Sequence, residues 1–157
     1  MKTAGLGDVR LSVLAALVAG VFLAISGIPG SATAQVGLTS TTLARGTDMS
    51  DGTIPLKQGM DVVVAHNVFA PSGSSGWHSH PGGAIGVVKS GQVTLYVSTG
   101  SKCDATTYQA GQSFIERPDK VLKAVNTGTM DADVYVTFPS VPQGLPSRHD
   151  EADPGTC

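Results

Sequence analysis

Two histidines separated by one residue, His78 and His80, stand in the segment Gly76-Trp77-His78-Ser79-His80-Pro81-Gly82-Gly83. On an extended backbone side chains alternate, so both imidazoles project from the same face. Turned into a cavity, the pair can share one divalent metal ion, and imidazole suits Zn, Cu, Fe and Ni in particular. The remaining histidines are scattered. His66 falls in a β-branched stretch and reads as a surface or packing residue of a strand, while His149 reads as a solvated group in a polar tail. Trp77, the only tryptophan, reads as a lid or core residue. No glycine-rich phosphate loop, nucleophile elbow or CxxC pair occurs.

Strands are the elements that must position such a pair. The chain has 157 residues, with 14% charged, 5% aromatic and 20 glycines. Low charge and high glycine disfavour a helical bundle and suit one small, turn-rich β domain. Strand patterns appear in MDVVVAHNVFA (60–70), AIGVVKS (84–90), QVTLYVS (92–98), QSFIE (112–116), VLKAVN (121–126) and DVYVTF (133–138). Gly91 between the second and third of these reads as a hairpin turn. Recurrence at this spacing, with turn residues between, indicates a sandwich or barrel. The net charge of −2 comes without a basic run, which argues against a nucleic-acid partner.

The apolar content is concentrated at the N-terminus. LSVLAALVAGVFLAISGI (11–28) follows Lys2 and Arg10 and precedes Ala32-Thr33-Ala34. A basic start, an apolar run and an Ala-x-Ala site together predict a cleaved signal peptide over 1–34, with an uncleaved anchor as the competing reading. No membrane span is expected after cleavage. Secretion, or retention in the cell envelope, then follows. A polar lead with one short strand (35–59), a barrel (60–140) and a Pro- and Asp-rich tail (141–157) would make up the mature chain. In an oxidising compartment the two cysteines, Cys103 and Cys157, are expected to pair and pin that tail. A reactive thiol or thiolate ligand is the alternative.

The histidine segment resembles the first motif of the cupin family, the small jelly-roll barrels that include germins, sugar isomerases and many dioxygenases. That motif runs Gly, five residues, His-x-His, three or four residues, Glu, six residues, Gly. His78-Ser79-His80-Pro81-Gly82 and Gly91 match it, while Ser72 stands at the opening glycine. Gly111, Pro118 and Asn126 are similar to the second motif. The resemblance spans about residues 60 to 140 and implies an all-β cupin-type jelly-roll barrel.

Two family ligands are missing. Cupins hold metal with three histidines and one glutamate, but Ala84 occupies the glutamate position, and Leu122 or Lys123 the third histidine. Only His78 and His80 carry over, which implies a loosely held Fe, Mn, Ni or Zn ion. His66, on the preceding strand, and Glu116, ending the strand before Pro118, are candidate further ligands. Trp77, Ala84 and Leu122 are the expected pocket residues.

Three functions compete. The first is an exported cupin that binds a small polar molecule, such as a sugar or organic acid. The second is a metal-dependent enzyme of dioxygenase or isomerase type. The third is a non-catalytic envelope scaffold, since fold does not fix function. The resemblance also allows a homodimer.

Overall fold

The computed structural model describes Leu38 and residues 40–157. The expected signal peptide, 1–34, lies outside the described residues. β2 (Asp61–Phe69) alternates half-buried and exposed positions along its whole length, with Val62, Val64 and Val68 on the exposed side. β1 (Thr47–Asp48) precedes it, and β3 (His78–Ser79) carries the first histidine of the pair. Then come β4 (Ala84–Ser90), β5 (Gln92–Ser98), β6 (Cys103–Gln109) and β7 (Gln112–Glu116). β8 (Leu122–Val125), β9 (Ala132–Val141) and β10 (His149–Asp150) complete the order. Among the described residues no helix is long and apolar enough to cross a membrane.

The strands form two five-stranded sheets, β1-β7-β4-β9-β2 and β10-β3-β8-β5-β6. All pairings are antiparallel except β1 with β7. The inward residues, among them Val88, Val93, Leu95, Phe114, Val134, Val136 and Phe138, make one core cluster. This is the all-β jelly-roll arrangement that the resemblance implies.

Gly91 does not close a hairpin. β4 pairs with β7 and β9, whereas β5 pairs with β6 and β8 in the other sheet. Gly91, at φ 71°, takes the chain across the corner from one sheet to the other. A side chain there would meet the Asp131 carbonyl oxygen at 2.6 Å, so both the conformation and the space call for glycine. Ser72 shows that the first motif's opening position still requires a glycine-like backbone, since it adopts φ 63°.

Asn126, 1% exposed, ties together the loops below the barrel. Its Nδ2 donates to the carbonyls of Phe69 (2.8 Å) and Met130 (2.7 Å), and its Oδ1 accepts from the Gly128 N–H (2.9 Å). The chain end is fixed covalently: Cys103 and Cys157 form a disulfide across 54 residues. The chain-entropy model assigns about 4 kcal/mol to closing such a loop.

Candidate metal centre

β3 enters the barrel between β8 and β10, and extended alternation then sorts the motif's side chains. His78 and His80 turn inward and are each 4% exposed. Ser79 turns the other way and donates to Glu151 Oε1 at 2.7 Å. Trp77 also faces away from the histidines, with the Lys123 ammonium 4.6 Å from its ring centre. The two imidazoles meet edge to face, ring centres 4.7 Å apart, and Phe138 packs against His80 at the same distance.

Backbone carbonyls orient both rings. The Nδ1–H of His78 donates to the Gly76 carbonyl at 2.9 Å, and that of His80 to the Ser147 carbonyl at 2.7 Å. With Nδ1 occupied as a donor, Nε2 is the atom each ring presents to the interior. Burial is the main force on His78 and lowers its pKa, with the Gly76 carbonyl and the Glu116 carboxylate pulling the other way. Burial thus favours the neutral ring, the state a metal ligand needs.

Glu116 supplies a third donor. It is 7% exposed, and its Oε2 lies 3.1 Å from His80 Nε2. Such a contact is a hydrogen bond only with a proton between the two atoms, and a cation can take that proton's place. One donor atom from each of His78, His80 and Glu116 falls within 4.8 Å of the others, so the three can share one ion. Two imidazoles and one carboxylate form a set suited to non-haem Fe(II), Mn(II) or Zn(II), and three protein ligands leave positions open.

The strand register explains how the carboxylate reaches this point. Ala84, at the family's glutamate position, is the direct cross-strand partner of Glu116. Paired residues on adjacent antiparallel strands share a face. The acidic group thus arrives from the strand beside the one the motif would use. No such replacement occurs for the third histidine: Leu122, the register partner of His78, is apolar and 1% exposed.

Beside the three donors opens a cavity of about 240 Å³. Phe69, Phe114, Val134, Val136 and Phe138 give it apolar walls, and Asn67 and Arg148 add polar groups. The expected pocket residues are placed elsewhere. Trp77 is buried beneath the Lys123 ammonium, Ala84 is fully buried, and Leu122 lines a second cavity of about 280 Å³ with Arg117 and Lys120. His66 does not join the cluster either. It lies on the outer side of β2, stacked on Tyr135 and paired with Asp133. Sequence reasoning missed Ser147 and Arg148, whose roles depend on a tail that folds back across 67 residues to His80.

A sequence profile of the Cupin domain family matches residues 65–138, the stretch that holds both histidines and Glu116. Residues 65–138 are a cupin domain. Solved structures share its barrel. An oxalate oxidase is 30% identical over 50% of this chain and 42% of its own, with a TM-score of 0.46. The oxalate decarboxylase of Lactobacillus farciminis, in a formate complex, is 17% identical over 58% of this chain and 27% of its own, at 0.50. That of Bacillus subtilis, which has Mn(II) centres, is 16% identical over 57% and 23%, also at 0.50. This cupin spans less than half of each of those chains. No curated protein matches the sequence.

Proposed function

We propose that this cupin is an exported protein that binds one divalent metal ion through His78, His80 and Glu116 and holds a small carboxylate beside it. The observation that carries the reading is the convergence of three buried donors on one point. A bound metal would supply a Lewis-acid centre with open coordination positions. The chain's own residues would do the rest. The Gly76 and Ser147 carbonyls keep each Nε2 aimed inward, and the phenylalanines and valines limit water around the ligand.

Size and charge support a small anion. Liquid water takes about 30 Å³ per molecule, so the cavity of about 240 Å³ has room for roughly eight water-sized groups, enough for a small organic acid. A divalent ion held by two imidazole ligands and one carboxylate leaves a positive site. Arg148 adds a guanidinium whose Nε and Nη2 are held by Asp150, leaving further N–H donors for an acid group. The formate complex and the Mn(II) centres of the two decarboxylases agree with this choice of ligand and make Mn(II) the first ion to test. Export is supported by the apolar run before Ala32-Thr33-Ala34 and by the disulfide.

Metal analysis after anaerobic purification, with and without added Mn(II), Fe(II), Ni(II) or Zn(II), tests the reading. About one equivalent in the wild type and none in the His78→Ala, His80→Ala and Glu116→Ala variants is expected. A wild-type protein that rejects all four ions would overturn it. Turnover of a small acid is the second reading, favoured by the open positions that a two-histidine, one-carboxylate set leaves. Metal-dependent consumption of a two- or three-carbon acid would establish it.

A further inference from the structure

On one side the segment around the histidine pair is held by the barrel: Ser74 bridges Val125, the Ser75 N–H donates to the Ala124 carbonyl, and the Asp119 N–H donates to the His80 carbonyl. β3 is two residues long and meets β8 through one register pair, His78 with Leu122. The end of the chain covers its other edge. His149 pairs with Ser79 and Asp150 with His78, and the Glu151 N–H donates to the Trp77 carbonyl at 3.0 Å. Glu151 also accepts from Ser79, and the Ser147 carbonyl orients His80. Beyond these contacts Thr156 Oγ1 reaches Ser98 Oγ at 3.1 Å, and Cys157 is bonded to Cys103 at the start of β6. Two inward-facing ligands are therefore clamped between the barrel and a strap whose far end is covalently anchored.

We propose that this strap, residues 147–157, positions His78 and His80 for the ion, and that the Cys103–Cys157 disulfide sets how tightly the ion is held. The inference rests on the metal-binding reading above. With the anchor cut, β3 becomes a sheet edge that keeps its His78–Leu122 pair and the flanking Ser74–Val125 bridge, and His80 loses the acceptor that fixes its ring. Outer partners of metal-ligating histidines are worth about 10- to 100-fold in metal affinity, so the reduced chain binds the ion more weakly by about that factor. The switching step is a two-electron exchange. A dithiol reductant breaks the Cys103–Cys157 bond, leaves two thiols and closes into its own disulfide.

Titration of the full chain with Mn(II), in thiol-free buffer, tests the strap. Three forms are compared: oxidised wild type, the Cys103→Ser/Cys157→Ser pair, and Glu151→Ala, which loosens one strap contact and keeps the disulfide. The expected result is a Kd about 10- to 100-fold higher in the serine pair and a few-fold higher in Glu151→Ala. The His80 Nδ1–H resonance should shift in both, while the amide signals of β5, β8 and β9 stay in place. Equal affinity in all three forms overturns the strap and leaves the metal centre standing. If the serine pair fails to fold, an unchanged Kd in Glu151→Ala overturns it alone. If the wild type takes up no Mn(II), the titration is repeated with Fe(II), Ni(II) and Zn(II), and uptake of none of the four overturns the metal reading and the strap with it.

Discussion

His80 meets Glu116 on the inside of the barrel, and His66 meets Asp133 on its outside, so the same two functional groups touch in two settings. The inner side chains are 4% and 6% exposed, the outer ones 46% and 27%. The inner imidazole has its Nδ1 fixed by the Ser147 carbonyl and a second imidazole 4.7 Å away. The outer one has a tyrosine stacked on it, ring centres 4.5 Å apart and planes within 11°. A histidine–carboxylate contact alone therefore does not make a metal centre. Burial, an oriented ring and a third converging donor do.

Removing a donor from each pair should separate them most sharply. His80→Ala or Glu116→Ala is expected to raise the Mn(II) Kd by more than about 100-fold, since even an outer partner is worth 10- to 100-fold. His66→Ala and Asp133→Ala should leave it within about twofold, because distant sites without shared partners act independently. Isothermal titration of the four variants decides the matter. An equal loss in His66→Ala would erase the distinction between the two settings.

The same contrast should appear in stability. An ion that binds only the folded state, present at 100 times its Kd, adds about 2.7 kcal/mol. For a domain of this size that is about 10 °C in Tm. Wild type and Asp133→Ala are expected to gain this increment with Mn(II) and to lose it with a chelator. Glu116→Ala should gain none in a thermal scan.

Part of this contrast was legible in the sequence. The strands that became β2, β4, β5, β7 and β9 announce themselves by β-branched alternation, and the His-x-His spacing placed both rings on one face. β3 and β10, two residues each, carry no periodic signal; they exist because the tail returns to the motif. Glu116 could be named as a candidate ligand beside His66, but choosing between them required the pairing of Ala84 with Glu116. A one-residue slip of that register would have turned Glu116 to the other face. Local sequence carries no record of register between strands this far apart.

His78, the other imidazole of the inner site, offers a pH test of smaller size. Burial lowers the pKa of His78 in the folded protein below its ordinary value of 6.5. The unfolded chain then takes up the proton more readily. Stability from this group is fully present above about pH 6.5 and is lost as the pH falls from there to the lowered folded value. Within that window the loss is at most about 1.4 kcal/mol per pH unit. Urea unfolding of the metal-free protein at pH 7.5 and 5.5 should show a steeper drop for wild type than for His78→Gln. Parallel losses would mean that the buried ring does not resist protonation.

The outer pair should matter least. An exposed ion pair contributes about 0 to 1 kcal/mol, because water and salt screen it and two side chains must be ordered to form it. The ring stacked on Tyr135 adds a packing component that does not depend on Asp133. A double-mutant cycle with His66→Ala and Asp133→Ala separates the two, since the stacking is lost equally in both His66→Ala backgrounds. The expected coupling is below about 1 kcal/mol, shrinking further in high salt while the single effect of His66→Ala largely persists. A salt-resistant coupling above 2 kcal/mol would instead make His66–Asp133 a second strongly coupled centre and remove the contrast with His80–Glu116.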